Sequence, residues 1–202
     1  MTSDGPQPRA PRSDRTRNRA RLIDAAEEVI AESGVGAPLD EIARRAETLY
    51  RHFRTRTDLI RALYDRVFEG MAQVADHAFR GETAWDTIER YVDGVIALIW
   101  QHPAAGAVIA YLRQEDPGYR VGTEWLPPFS AVVDQAKRDG RLRPDVDVTD
   151  VAYLPNLLAE LVTHPEPQRG LLLARMRALL LDSIRAGDRA PLPRIPLTRS
   201  RC

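Results

Sequence analysis

The residues that first suggest a chemistry are arginines, which crowd the amino-terminal end of the chain. The whole chain has a net charge of +0, with 29 basic and 29 acidic residues. The charge is unevenly spread, because only Asp4 and Asp14 oppose the arginines at this end. Such a local basic excess is typical of a segment that contacts nucleic-acid phosphates. The arginines are Arg9, Arg12, Arg15, Arg17, Arg19 and Arg21.

Residues that could carry catalysis or bind a metal are scattered. The 4 histidines form no i, i+4 pair and have no cysteine neighbour. The 1 cysteine, Cys202, cannot form an internal disulfide. There is no glycine-rich phosphate loop and no G-x-S-x-G motif, and pairs such as Glu27-Glu28 are typical of solvated helix faces. We therefore predict no metal site, no cofactor and no enzymatic activity.

The hydropathy of the chain predicts a cytoplasmic protein. No apolar run reaches about 18 residues, the length that would span a membrane. The first residues, MTSDGPQPRAPRSDR, are polar and proline-rich and lack the apolar core of a secretory signal.

Apolar residues recur at helical spacing along nearly the whole chain, and strand-like alternation is absent, which predicts an all-α fold. Gly34 suits the position just after a helix, and Thr55 with Asp58 resembles a capping box. Pro155 is expected to kink its helix. The predicted helices lie at about 14–33, 38–46, 49–53, 55–79, 85–99, 103–114, 125–137, 149–163 and 167–186.

Residues 17–68 carry the most specific pattern. The segments RLIDAAEEVIAESG, LDEIARRA, TLYRHF and RTDLIRALYDRV follow one another in order. They resemble the DNA-binding domain of the TetR (tetracycline-repressor) family. The resemblance implies an N-terminal three-helix helix-turn-helix domain followed by a C-terminal helical domain for ligand binding and dimerisation. The predicted divisions are a disordered arm (1–13), the DNA-binding domain (14–56), the ligand-binding and dimerisation domain (57–186) and a disordered tail (187–202).

By this resemblance, the recognition helix enters the major groove of double-stranded DNA and flanking groups bind phosphates. Tyr50 and His52 would donate to phosphates, and Arg56 stands where the family usually has lysine, at the start of the fourth helix. Arg44 and Arg45 would either contact DNA or only stabilise the end of the second helix. The predicted DNA-binding residues are Arg17, Arg44, Arg45, Thr48, Tyr50, Arg51, His52 and Arg56.

Aromatic residues are spread through the middle of the chain, where the family encloses a ligand cavity. Aromatic walls with a few polar groups suit a small-molecule site, although each of these residues could instead serve ordinary core packing. The predicted pocket residues are Phe68, Trp85, Tyr91, Val95, Tyr111, Trp125 and Phe129.

The last two predicted helices are rich in leucine over more than one face, more than a single core needs. By resemblance, these helices form a four-helix bundle between two subunits, and the alternative is a purely intramolecular core. The predicted homodimer interface contains Leu157, Leu161, Leu172, Met176, Leu179 and Leu180.

One part of the family pattern is missing, namely the turn between the second helix and the recognition helix. EIARRA runs directly into ETLYRHF, although a helix-turn-helix needs a turn of roughly three to four residues. We predict that about four residues are absent from the sequence near Ala46 and Glu47, because both flanks keep the family pattern. If the chain is truly continuous, the two helices are in phase to form one rod, and a degenerate helix-turn-helix becomes the better interpretation.

These features together predict a ligand-responsive transcriptional regulator, and the resemblance to the family implies that it acts as a repressor. It would bind a pseudo-palindromic operator as a dimer and be released by a small, largely apolar effector. The alternative is a ligand-binding or interaction protein whose helix-turn-helix no longer binds DNA.

Overall fold

The computed structural model describes residues 12–45, 49–116, 118 and 126–193. The regular secondary structure of these residues is helical apart from one isolated antiparallel bridge, so the predicted all-α fold is confirmed. The helices are α1 (Arg12–Ser33), α2 (Leu39–Arg45), α3 (Leu49–His52), α4 (Arg56–Ala78), α5 (Ala84–Gln101), α6 (Ala105–Glu115), α7 (Leu126–Arg138), α8 (Val148–Tyr153), a 3-10 helix (Leu154–Thr163) and α9 (Gln168–Ile184).

The helices belong to two compact units. The first unit contains residues 1–68 and 102–121, and the second contains 69–101 and 122–202. Helix α6 therefore belongs to the same unit as α1–α3, although the sequence pattern had assigned it to the ligand-binding domain. The predicted division after residue 56 lies inside the first unit, and as a division of function it stays a prediction.

The first unit is built on the apolar stripe predicted for α1. Leu22, Ala26 and Val29 are almost completely buried, because residues three and four apart share one face of a helix. Helix α2 packs against both α1 and α3. The other large residues of this core include Ile42, Leu49, Phe53, Leu59, Ile60, Leu63, Val108 and Leu112.

The second unit is organised around α5, which packs against α7 and the 3-10 helix, while α9 packs against the 3-10 helix. The 3-10 helix begins directly after α8, and Pro155 lies in its first turn. Proline lacks the backbone N–H that would continue the α-helical ladder, so the predicted kink takes the form of a change of helix type. The core includes Ile88, Tyr91, Val92, Phe129, Val133, Val151, Leu158, Leu181 and Ile184.

Helices α4 and α5 approach each other closely within the second unit because glycines lie at their contact. A Cβ atom at Gly94 would lie 2.7 Å from Cγ1 of Val74, and one at Gly70 would lie 2.3 Å from Cδ1 of Leu98. The absence of a side chain at these two positions allows the close contact.

Residues 187–193, which were predicted to belong to a disordered tail, are held by a fork of charged groups. Arg143 donates from Nε and Nη2 to the two carboxylate oxygens of Asp145 at 2.9 and 2.8 Å. The same Nη2 donates to the carbonyl of Ala190 at 2.8 Å, and the backbone N–H of Leu192 donates to Asp145 at 2.8 Å. The fork thus holds this segment against the α7–α8 loop.

No single helix in the described part of the chain is long and apolar enough to cross a membrane, and only α5 and α6 taken together, as a broken pair, satisfy the length and composition test.

Candidate functional site

The ends of α1 and α4 are defined by the local signals that the sequence predicts. Gly34 has a φ of +81°, a conformation that favours glycine, and its N–H donates to the carbonyl of Ile30 at 2.9 Å. Thr55 and Asp58 form the predicted capping box, with each side chain accepting from the other residue's N–H at 3.1 Å. These caps define where α1 ends and where α4 begins, on either side of α2 and α3.

Arg56, a predicted phosphate ligand, lies in the first turn of α4 and is half-buried. Its Nη1 donates to the carbonyl of Val35 at 2.6 Å. One of its hydrogen bonds therefore stabilises the α1–α2 loop, a role that the resemblance does not include.

The described part of α3, the predicted recognition helix, has 4 residues, which at 1.5 Å per residue is about 6 Å of helix. The absence of about four residues near Ala46 and Glu47 stays a prediction, because the sequence itself runs directly from EIARRA into ETLYRHF. The fused rod stays a prediction as well, because α2 is described to Arg45 and α3 from Leu49. Residues 46–48, which connect them, lie outside the described residues.

The predicted DNA-binding residues divide into three groups. Arg17, Arg44 and Arg51 are exposed on α1, α2 and α3, whereas His52 and Arg56 are half-buried. Thr48 and the side chains of Arg45 and Tyr50 lie outside the described structure.

Sequence reasoning did not assign a role to Arg19 or Arg54 individually. The guanidinium of Arg19 lies 5.4 Å from the ring centroid of Phe53, which is within the range of a cation–π contact. Arg54 is exposed between α3 and α4. The local excess of arginine pointed to Arg19, and no sequence signal pointed to Arg54.

Ion pairs fasten both ends of α6 to α1 and α4. Glu27 of α1, which the sequence suggested to be solvated, is 6% exposed and accepts hydrogen bonds from Arg66 of α4 and from Nδ1 of His102. At the other end, Arg61 of α4 donates to Asp116 at 2.6 and 3.2 Å. Because Glu27 carries no sequence mark that separates it from a surface glutamate, this cluster could not be predicted.

The predicted pocket residues do not form one cluster. Phe68 and Tyr111 pack against the core of the first unit, and Phe68 stacks on Tyr64 with ring centroids 4.2 Å apart. The other described members belong to the core of the second unit, and Trp125 lies outside the described residues. The second-unit members are Trp85, Tyr91, Val95 and Phe129.

The aromatic group of the second unit is tightly packed. The rings of Tyr91 and Phe129 lie 4.4 Å apart, and Phe79 contacts Phe129 edge-on at 6.4 Å. Burial raises the pKa of the Tyr91 hydroxyl. The indole Nε1 atoms of Trp85 and Trp100 are buried without a hydrogen-bond acceptor among the described residues. These two donors are polar groups that the core itself leaves unsatisfied.

An exposed apolar surface follows α9 and the 3-10 helix. Of the predicted interface residues, Leu157 and Leu179 are 69% and 53% exposed. Leu172 is half-buried, while Leu161, Met176 and Leu180 pack against the core of their own unit. Leu171 and Tyr153, which sequence reasoning missed, are exposed as well. Helical spacing was the available signal, because Leu171 and Leu179 lie two turns apart on one face.

The amino-terminal residues match a known protein family. Residues 22–63 match the sequence profile described as bacterial regulatory proteins, tetR family. A search of curated proteins gave no significant match.

Solved structures share the fold over most of the chain. A TetR transcription regulatory protein from Mycobacterium vanbaalenii is 27% identical, with 87% of this chain and 99% of that chain covered and a TM-score of 0.51. The ketosteroid transcriptional regulator KstR2 of Mycobacterium tuberculosis is 16% identical, with 84% and 95% covered and a TM-score of 0.64. A gamma-butyrolactone receptor described as ArpA-like is 20% identical, with 83% and 98% covered and a TM-score of 0.56.

All three relatives are regulators or receptors, which agrees with the prediction that the chain is not an enzyme. Residues 22–63 are thus similar to the bacterial regulatory proteins of the tetR family, and the helical fold of the chain is similar to that of solved TetR regulators.

Proposed function

We propose that the chain is a ligand-responsive transcriptional regulator, a repressor that contacts DNA as a dimer and is released by a small, largely apolar molecule. The observation that carries the proposal is the family match over α1–α4, whose buried residues pack into one core. Arg17, Arg44 and Arg51 remain exposed around that core, where guanidinium groups suit phosphate oxygens.

Features of the second unit and the names of two relatives support an apolar effector with a carbonyl oxygen. Two relatives are named for a ketosteroid and for a gamma-butyrolactone, which are molecules with a mostly apolar skeleton and a carbonyl oxygen. Trp85 and Trp100 each offer a buried indole N–H without an acceptor among the described residues. A buried donor gains a hydrogen bond when a ligand brings a carbonyl to it, so an apolar molecule with such an oxygen suits this unit.

Exposed apolar residues of the second unit support dimerisation. Tyr153, Leu157, Leu171 and Leu179 expose between 53% and 71% of their surface. Leu157 lies on the 3-10 helix and the last two on α9, which pack on each other, and several exposed large apolar residues are typical of a protein interface. An isologous two-fold pair would present two copies of the first unit to the two halves of a pseudo-palindromic site.

The second candidate function is a ligand-binding or interaction protein that no longer binds DNA. The sequence favours this candidate, because EIARRA runs directly into ETLYRHF without the residues of a turn. Two observations argue against the second candidate. The family match extends across this point, and the exposed arginines can still contact phosphates.

A salt-dependent mobility shift with the DNA upstream of the chain's own gene separates the two candidates. Retained DNA binding is expected to weaken steeply as salt rises, because phosphate contacts release counterions. Arg51→Ala is expected to lower the salt slope by about one unit, whereas Gln73→Ala, an exposed neutral position on α4, should leave it unchanged. Absence of binding at low salt would favour the second candidate.

The effector is tested separately by intrinsic tryptophan fluorescence. We expect a ketosteroid or a gamma-butyrolactone probe to change the emission of the chain, and Trp85→Phe to reduce that change. Emission that stays constant at every probe concentration would count against these two ligand classes.

A further inference from the structure

Two arginines at the ends of α9 rest on the two tryptophans at the ends of α5. The guanidinium of Arg185, directly after α9, lies 4.5 Å from the ring centroid of Trp85, near the start of α5. The guanidinium of Arg169, near the start of α9, lies 5.4 Å from the ring centroid of Trp100, near the end of α5. Both distances are within the range of a cation–π contact. The two helices therefore run antiparallel, with an arginine–indole contact at each end.

A third arginine connects the same two helices between these contacts. Arg177 of α9 donates from Nε and Nη2 to the two carboxylate oxygens of Asp93 on α5. It makes an ion pair, whereas the two outer arginines contact indole rings. Both α5 and α9 also pack on the 3-10 helix. The arginines thus add direct contacts between two helices that already share a neighbour.

The indole rings under the two outer arginines are the rings whose N–H groups lack an acceptor among the described residues. The Nε1 atoms of Trp85 and Trp100 are both buried, and Trp85 as a whole is 8% exposed. Because protein interiors are closely packed, an effector oxygen reaches such an enclosed donor only when the ring or its surroundings move. A movement of either ring changes the surface on which an arginine of the α9 segment rests.

Another side of α9 carries residues of the proposed dimer interface. Leu171 and Leu179 are 71% and 53% exposed, and they lie about two turns apart on one face of the helix. One helix therefore contacts the tryptophans of α5 on one side and offers apolar side chains to a second subunit on another. A shift of α9 relative to α5 would displace both sets of side chains together.

We propose that effector binding and dimerisation are linked through these arginine–indole contacts. Arg169 and Arg185 act as positioning residues, which hold the two indole rings while α9 is in the dimer. An effector that binds the N–H groups of Trp85 and Trp100 loosens this hold and weakens the dimer. The linkage rests on the function proposed above and adds a route of regulation to it. Dissociation would separate the two copies of the first unit that a pseudo-palindromic site requires.

The first experiment needs no effector. Trp125 is replaced by phenylalanine in every protein, so that tryptophan emission comes from Trp85 and Trp100 alone. The spectrum of this protein is compared with that of the same protein carrying Leu179→Arg, and light scattering confirms which is the dimer and which is the monomer. We expect the two spectra to differ, because the surroundings of the indole rings depend on the position of α9.

The same comparison is repeated with the arginines altered. Arg169→Gln combined with Arg185→Gln removes both cations from the indole rings, and we expect the difference between dimer and monomer spectra to be lost. Arg177→Gln is the matched control, because it removes an arginine contact between the same helices without touching an indole, and the difference should persist. If circular dichroism shows that the double variant is unfolded, the single Arg185→Gln variant takes its place.

The second experiment measures the reciprocal effect, with a ketosteroid and a gamma-butyrolactone as the probes. Sedimentation equilibrium gives the dissociation constant of the dimer with and without the probe, and fluorescence follows probe binding. Coupling between two sites typically changes affinity by about 5- to 150-fold. We therefore expect a bound probe to raise the dissociation constant at least about fivefold in the unaltered chain and in Arg177→Gln, and to leave it unchanged in the double variant.

The outcomes separate the linkage from the proposed function. Identical dimer and monomer spectra, or a bound probe that leaves the dimer equally tight or tighter, would overturn the linkage and leave the proposed function intact. Loss of the spectral difference in Arg177→Gln as well would overturn the specific role of the indole contacts. A monomeric unaltered chain would instead overturn the proposed dimer. Failure of both probes to bind would overturn the proposed effector class, and the spectra would still decide the linkage.

Discussion

The Nδ1 atom of His102, which immediately follows α5, lies 2.9 Å from Oε1 of Glu27 on α1. Because carboxylate oxygens accept hydrogen bonds, Nδ1 serves as the donor in this contact. Arg66 of α4 donates to the same carboxylate and also to Asp24. A single buried side chain thus joins α1, α4 and the start of α6 within the first unit.

Glu27→Ala is expected to destabilise the protein by about 2 kcal/mol, because Arg66 and His102 would lose a buried acceptor. Glu27→Gln, which keeps an acceptor oxygen, should lose less. Urea unfolding measures both effects, and Glu69→Ala, at an exposed position of α4, serves as the control, with an expected change below about 0.5 kcal/mol. Equal effects at residues 27 and 69 would show that the buried network contributes nothing to stability.

Leu179→Arg should weaken dimerisation and leave the folded monomer stable. Leu179 is 53% exposed, whereas the neighbouring Leu180 packs against the core of its own unit. Leu180→Arg should therefore also lower the melting temperature, because it places a charge within that core. Light scattering at micromolar concentration measures association, and differential scanning calorimetry measures stability. A monomeric unaltered chain under these conditions would contradict the predicted interface.

The Arg143–Asp145 fork predicts a defined dependence of stability on pH. The Arg143 side chain, with help from the backbone N–H of Leu192, lowers the pKa of Asp145 from 3.8 to about 2. A carboxyl whose pKa is lower in the folded state binds its proton more readily when unfolded. Its contribution to stability is therefore complete above about pH 5 and is lost as the pH falls towards about 2.

The corresponding variant is Asp145→Asn, which removes the charge at every pH. We expect it to be less stable than the unaltered chain at neutral pH, with a difference that narrows as the pH falls from about 5 to about 2. Urea unfolding at a series of pH values measures the difference, and Asp188→Asn, at an exposed position in the same region, is the control. A difference that widens towards acid pH would exclude the predicted role of the fork.

Two glycine substitutions should change stability in opposite directions. Gly106 of α6 has no atom within 4 Å of a built Cβ, so Gly106→Ala should gain up to about 1 kcal/mol from helix propensity. At Gly94 the new methyl group would meet the stiff side chain of Val74, whose Cγ1 would lie 2.7 Å away. Gly94→Ala should therefore lose about 1 kcal/mol or more despite the same propensity gain.

The double variant Gly94→Ala with Val74→Ala makes room for the added methyl group. Its loss should be smaller than the sum of the two single losses, which thermal unfolding can measure as a coupling energy. Additive effects would mean that α4 and α5 do not meet at this point.

Helix positions were predictable because their signals are local. Gly34 ends α1, and Thr55 with Asp58 starts α4, as the sequence indicates. Each of these signals acts over three or four residues, so the neighbouring sequence contains all the information that the cap needs.

Long-range features were not predictable in the same way. Glu27 is buried because of His102, 75 positions away, and Arg66, 39 positions away. A periodic stripe tells which side of a helix is buried but not what it packs against, which is why Phe68 and Trp85 were assigned to one pocket and lie in different cores. The polar composition of residues 187–193 likewise predicted a disordered tail and gave no sign of the contact between Arg143 and Ala190.

Leu49 and Phe53, at the two ends of α3, belong to the core, whereas side chains that would face a base belong to the surface. Selection for a folded chain acts strongly on the first kind of position and barely on the second, since surface substitutions usually change stability by less than about 0.5 kcal/mol. A lineage with this fold can therefore lose recognition of its operator and still produce a well-folded protein. Expression yield and melting temperature would not reveal such a loss. Only a DNA-binding assay can distinguish related proteins that still recognise a DNA sequence from those that no longer do.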